Sequence, residues 1–274
     1  MIHTPKDPVR IGLFDSGVGG LSVLRALQRR LPGAELFYIA DSAHAPYGER
    51  DAAFVQQRSI ALTDALLGAG AQIVVVACNT ATALAIDMLR ARYPGTRFVG
   101  VEPGLKPALA SSRNGRIGVM ATSATLASTR FARLLAEQQR PAVQFLLRAC
   151  PGLAQALEEG DVGSASVSAI VARDAGALRA SGVDTVVLGC THYPFASSAI
   201  AEVLGADVVL VDTAPAVAEQ CARLADERGA AGRRAARRIV LSTTGDQQRL
   251  RQIAERWLDF EFELQPLAAA MNAA

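Results

Sequence analysis

Two apolar runs in this chain stop at a cysteine. VVVACNTATA spans 74–83 and VVLGCTHYPF spans 186–195. Cys78 is followed by Asn79 and Thr80, and Cys190 by Thr191 and His192. One free cysteine is commonly a small buried hydrophobe. Two in matching settings read as a pair. Thiols on opposite sides of a small ligand can move protons at carbon: one thiolate removes a proton from one face while the opposing thiol delivers one to the other. That inverts a stereocentre. Acid–base groups of this kind contribute about 10²–10⁴-fold each. The remaining acceleration comes from donors that stabilise the developing carbanion and its carboxylate.

This chemistry needs neither a metal nor a lysine, and the composition is poor in both kinds of partner. The 274 residues hold two lysines, Lys6 and Lys106, three histidines and no CxxC. A Schiff-base cofactor and a zinc site are both disfavoured, and no cofactor is expected. Formal net charge is +2, too small to argue for a nucleic-acid partner or an anionic membrane surface. The polar start, MIHTPKDPVR, lacks a signal-peptide core. The uncharged stretch 65–86 is long enough to span a membrane. Its internal Gly68, Gly70, Gln72 and Asn79 parse it instead as helix end, turn, buried strand and a new helix. A cytoplasmic protein with reduced thiols is expected.

Other polar turns carry further candidates. DSGVGG at 15–20 offers Asp15 and Ser16, and ATSAT at 121–125 offers Thr122 and Thr125. Asp15 is read as a ligand-facing acid rather than only a helix cap, and His192 as the partner of the nearby thiol. DSGVGG is no dinucleotide fingerprint, because the third glycine of GxGxxG would fall on Ser22. Cys150 and Cys221 lack the repeated context and read as core residues; His3 and His44 read as structural. PYG at 46–48 is a turn, and Glu158 and Glu159 sit on a polar helix end with nothing local to mark either.

The elements that position these turns alternate. Strands are predicted at 10–14, 35–39, 73–77, 97–101, 116–120, 143–147, 184–188, 207–211 and 238–242, with 260–264 as a further one. Segments such as 18–31, 50–68, 123–137 and 163–180 read as helices. Continuously apolar strands between helices predict an α/β protein with mostly parallel sheets buried on both faces. Ligands in such folds bind beyond the carboxyl ends of strands, where these turns fall. A helix N-terminus following each turn favours bound carboxylates and is expected to lower a thiol's pKa. RIGLFDS at 10–16 matches RIGVMAT at 116–122, an offset of 106, and the two cysteines are offset by 112. A duplicated α/β unit follows, with two similar lobes facing a cleft. GAAGRRAARR at 229–238 reads as a solvated loop or helix end. A two-lobed binding protein that captures an amino acid in the same cleft is the alternative outside enzymes; it leaves the paired thiols without a purpose.

IGLFDSGVGGL, YIADSAHAPYG, VVACNTATA, GVEPG, ATSAT and VLGCTHYP, in this order over about 11–194, together resemble the glutamate racemases of the cofactor-independent aspartate/glutamate racemase family, with STTGD at 242–246 as a weaker later match. The resemblance implies interconversion of L- and D-glutamate, supplying D-glutamate for peptidoglycan. It implies that Cys78 serves the D-enantiomer and Cys190 the L-enantiomer, assisted by Asp15 and His192 respectively. Ser16, Tyr47, Gly48, Asn79, Thr80, Thr122, Thr125, Thr191 and His192, with Asp15, would hold the substrate. An acidic helper is expected in CPGLAQALEEG, with Glu158 the better match, although this segment departs from the usual pattern. A homodimer is implied. So is a first lobe of 1–102 completed by 214–274, around a second lobe of 103–213. Aspartate racemase, hydantoin racemase and maleate isomerase share the two-cysteine logic; DSGVGG and CTHYP favour glutamate.

Overall fold

The structure is a computed structural model describing residues 8–159, 161–227 and 238–267. His3, Lys6 and the arginine-rich stretch up to 237 lie outside the described residues. Strands β1 (Arg10–Asp15), β2 (Glu35–Ala40), β3 (Ile73–Val76) and β4 (Arg97–Gly100) lie in one parallel sheet with the late β9 (Ile239–Thr243) and β10 (Glu263–Leu264). Its order is β10-β9-β2-β1-β3-β4. Strands β5 (Arg116–Ala121), β6 (Gln144–Ala149), β7 (Thr185–Gly189) and β8 (Val209–Val211) form a second parallel sheet in the order β6-β5-β7-β8.

Parallel neighbours need crossovers, and helices supply them. The first sheet packs with α1 (Leu21–Arg30), α2 (Ala52–Gly68), α3 (Asn79–Arg92), α10 (Ala214–Asp226) and α11 (Gln247–Trp257). The second packs with α4 (Leu105–Ser111), α5 (Ser123–Ala127), α6 (Thr129–Gln138), α7 (Leu153–Glu158), α8 (Ala165–Ala180) and α9 (Ser197–Leu204). Each sheet therefore has an apolar core on both faces, which is why the middles of β1, β3, β7 and β9 read as apolar runs. No helix among the described residues is long and apolar enough to cross a membrane. The uncharged stretch 65–86 divides into the end of α2, β3 and the start of α3.

The internal repeat has a structural counterpart. The order β2-β1-β3-β4 in one sheet matches β6-β5-β7-β8 in the other. RIGLFDS and RIGVMAT hold β1 and β5, and each cysteine follows the neighbouring β3 or β7.

Two expectations need correction. The run 143–147 becomes β6, an edge strand that is only half buried and exposes Leu147. An apolar run does not reveal whether a strand is central or terminal. The single helix expected over 123–137 is two: Thr122 caps α5 by accepting from the Thr125 N–H, and Ser128 caps α6 by accepting from the Phe131 N–H. Ser128 is extended, at φ −73° and ψ 144°, so the chain turns there.

Candidate active site

A cavity of about 230 Å³ opens beyond the carboxyl ends of both sheets. Cys78, after β3, and Cys190, after β7, both line it. So do Ser16, Tyr47, Gly48, Asn79, Thr80, Thr122, Glu158, Thr191 and His192. Asp15 and Thr125 are fully buried behind its wall. The two strand-end thiols are thus brought to one space by the pairing of two similar sheets.

Around Cys78 the polar groups are tightly bonded. Cys78 is the N-cap of α3: its sulfur accepts from the Ala81 N–H at 3.5 Å and donates to Ser16 Oγ at 3.8 Å. Asp15 accepts from the backbone N–H groups of Ser16 at 2.7 Å and Gly20 at 2.5 Å. Its Oδ2 also takes the Thr191 hydroxyl at 3.2 Å, tying the first sheet's turn to the CTH turn of the second. The expected depression of the thiol's pKa is overturned here. Burial, and then the neighbouring Asp15 carboxylate, push Cys78 well above the ordinary thiol value, outweighing the helix-cap hydrogen bond. Burial also raises Asp15, against the pull of His192.

The Cys190 side carries a different charge pattern. Its turn leads not into an α-helix but into a three-ten turn, Tyr193–Ala196. Cys190 Sγ lies 3.7 Å from His192 Nδ1, and the other ring nitrogen, Nε2, lies 2.5 Å from the Glu158 carboxylate. Burial opposes charge on His192, yet Cys190 and Glu158 hold its pKa well above the usual imidazole value. Burial likewise disfavours charge on Glu158, but His192 and the Val18 N–H, at 3.0 Å, keep it below the usual carboxylate value. The pair is therefore an imidazolium facing a carboxylate. Glu158, unmarked in its own helix, is placed here by the packing of α7 against the turn 193–196.

The glycines of DSGVGG are explained by the same approach. A Cβ at Gly17 would overlap the Glu158 carboxylate, and one at Gly19 would overlap the His192 ring. Ser22 Oγ donates to the Thr191 carbonyl at 2.9 Å, so Ser22 and Asp15 both bond this turn to the CTH turn of the other sheet.

Three threonines join the sheets on the far wall. Thr80 Oγ1 lies 3.0 Å from Thr122 Oγ1, which lies 2.9 Å from Thr125 Oγ1. Asn79 donates to the Val101 carbonyl at 3.3 Å. Tyr47 lines the cavity, and its hydroxyl donates to the buried Asp41 at 2.5 Å. Gly48, in the same turn, lies against Thr122.

Sequence reasoning missed Asp41. Its fully buried carboxylate accepts from Arg58 Nε and Nη2 at 2.9 Å, from the Tyr47 hydroxyl, and from Thr244 Oγ1 at 2.9 Å, with His44 Nδ1 3.0 Å away. Burial opposes its charge, but Arg58 and Tyr47 keep its pKa below the ordinary value. The network anchors the loop at the cavity rim, and Thr244 of STTGD is part of it. Only an Asp within an otherwise neutral segment hinted at this. Cys150, read as a core residue, is buried but also lines the cavity; burial and then Asp174 push its thiol pKa up. No group of residues able to hold a metal ion occurs among the described residues.

Two parallel α/β units present one thiol each to a shared cavity, each thiol beside its own ionisable partner, an arrangement suited to two-base acid–base chemistry. The chain belongs to the Asp/Glu/hydantoin racemase family, whose model matches residues 17–221. It is 48% identical over 234 residues to the glutamate racemase of Pseudomonas paraeruginosa, covering 85% of this chain and 88% of that protein. A glutamate racemase isoform from Bacillus anthracis superposes with a TM-score of 0.86 at 31% identity, over 95% of this chain and 98% of that one. The Francisella tularensis glutamate racemase, solved in complex with D-glutamate, gives 0.84 at 25% identity, over 98% and 100%.

Proposed function

We propose that this protein interconverts L- and D-glutamate through two thiols and supplies D-glutamate for peptidoglycan. The carrying observation is the placement of Cys78 and Cys190 on one cavity with unlike partners, Asp15 and the His192–Glu158 pair. With L-glutamate, Cys190 removes the α-proton while the His192 imidazolium balances the charge beside it. The Cα–H bond breaks on that face, the electron pair delocalises into the carboxylate, and the Cys78 thiol delivers a proton to the opposite face. With D-glutamate the roles reverse, Asp15 standing beside Cys78. After one turnover one thiol has gained a proton and the other has lost one; the reverse reaction or exchange with water restores the start.

No lysine or arginine lines the cavity among the described residues. Glutamate's carboxylates are then held by hydroxyls of Ser16, Thr80 and Thr122, by Asn79, by the Tyr47–Gly48 backbone and by the N-terminus of α3. Thr191 completes the set beside Asp15. The lobes divide at 102/103 and 213/214, a reading supported by the packing of α10 and α11 against the first sheet. A cytoplasmic homodimer is part of the same reading. Replacing Cys78 or Cys190 with serine tests the reading: each variant loses racemisation while keeping glutamate affinity within a few-fold. Full turnover in either variant overturns the two-thiol mechanism. Glutamate binding by a wild-type protein that never racemises it supports a binding protein instead.

A further inference from the structure

Beside the main cavity lies a second, of about 10 Å³, lined by residues that include Asn79, Thr82, Val101, Thr125, Arg130 and Phe131. It reaches from α3 to α6. Two buried polar atoms on its lining residues, Asn79 Oδ1 and Arg130 Nε, have no hydrogen-bond partner among the described residues. Neither can turn away. Asn79 Nδ2 donates to the Val101 carbonyl at 3.3 Å, and rotating the amide would set oxygen against oxygen. Arg130 Nη1 donates to both oxygens of Asp87, at 3.0 and 3.1 Å, and Nη2 donates to Glu102. The guanidinium is fixed at both ends, and its Nε–H is committed to the interior.

One group lacks a donor, the other an acceptor, and both residues line the same small cavity. A water accepts from Nε–H and donates to Oδ1, two of the two to four bonds that buried waters make. Thr82 and Thr125 line the same cavity, their hydroxyls engaged with Val76 and Val101 and with Thr122 respectively. We propose that this cavity binds one ordered water linking Arg130 Nε to Asn79 Oδ1, and that Arg130 is thereby a positioning residue for the racemase site. Asn79 also lines the main cavity, so fixing its oxygen on the water leaves its second amide N–H for a substrate carboxylate. Glu102 belongs to GVEPG, a motif otherwise without a task, and Asp87 lies on α3, the helix that Cys78 caps. Arg130 thus holds α3, the segment after β4 and the Asn79 amide in one relation.

The water itself is independent of the proposed activity; only the positioning claim rests on it. A high-resolution crystal structure of the wild-type protein should show one water within hydrogen-bonding distance of both atoms. A dry cavity, or direct contact between the two side chains, overturns the water. Arg130→Lys keeps a cation for Asp87 and Glu102 but has no Nε donor, whereas Arg130→Met has neither. Both should raise KM for both enantiomers roughly tenfold with kcat held within about threefold, the signature of lost ground-state binding. Wild-type KM in Arg130→Lys overturns the relay and leaves ion pairing alone. If Arg130→Met does not fold, Arg130→Lys decides. A water present in a protein that does not racemise glutamate would sink the activity and keep the site.

Discussion

Replacing Glu158 with glutamine removes one charge and little volume. The carboxylate accepts from His192 Nε2 at 2.5 Å, the Val18 N–H at 3.0 Å and Ser42 Oγ at 3.3 Å. Glutamine keeps an acceptor but ends the charge-assisted bond to the imidazolium, worth about 1.5–3 kcal/mol. At about 1.4 kcal/mol per decade, kcat/KM falls roughly 13- to 160-fold. The two enantiomers have equal energy, so the fall must be the same in both directions. The isotope effects must not be. Proton transfer at the Cys190 face becomes slower than at Cys78, so α-deuterated L-glutamate shows a larger isotope effect than in wild type. α-Deuterated D-glutamate, whose deuteron leaves toward Cys78, shows a smaller one. The pH profile moves as well. Cys190 and Glu158 both raise His192, and with one support gone the imidazolium loses its proton at lower pH. The alkaline limb therefore shifts down. Circular dichroism assay of both directions, with protiated and deuterated substrates, measures all three. Isotope effects that change equally in both directions would refute the assignment of Glu158 to the Cys190 face.

Gly17→Ala places a methyl in the Glu158 carboxylate and should lower kcat/KM by about 10²-fold through displacement of the catalytic pair, with thermal melting little changed. Asp41→Asn removes the buried carboxylate that binds Arg58, whose side chain is 3% exposed. Urea unfolding should show a loss of about 3–5 kcal/mol. The His192–Glu158 pair sets a stability window. Glu158 is lowered from 4.5 and His192 raised from 6.5, so the pair's contribution is complete between those values. It declines as pH falls through the depressed Glu158 pKa, and as pH rises through the elevated His192 pKa. Denaturation of wild type against Glu158→Gln across pH should show a difference greatest inside the window.

The sheets were legible because parallel strands covered on both faces must be largely apolar, and the repeat was legible because β1 and β5 both begin Arg-Ile-Gly. The thiols stood out because each ends such a strand. What tertiary packing decides was not legible. Glu158 joins His192 only when α7 folds against the turn 193–196, and no local pattern records that contact. Tyr47 was read as a substrate residue from its motif, and its bond to Asp41 could not be read there. A helix N-terminus suggested an acidic Cys78, whereas burial beside Asp15 dominates and makes the thiol a weaker acid. Asp41 itself was passed over because a buried carboxylate shows its meaning only through Arg58, seventeen residues later.

The most direct measurement is incubation of the purified protein with L-glutamate in D₂O without added cofactor, followed by proton NMR and chiral chromatography. The account predicts loss of the α-proton signal and appearance of D-glutamate carrying deuterium at the α-carbon. D-Glutamate that retains the original proton would contradict the two-base mechanism, and no exchange under reducing conditions would contradict the racemase reading.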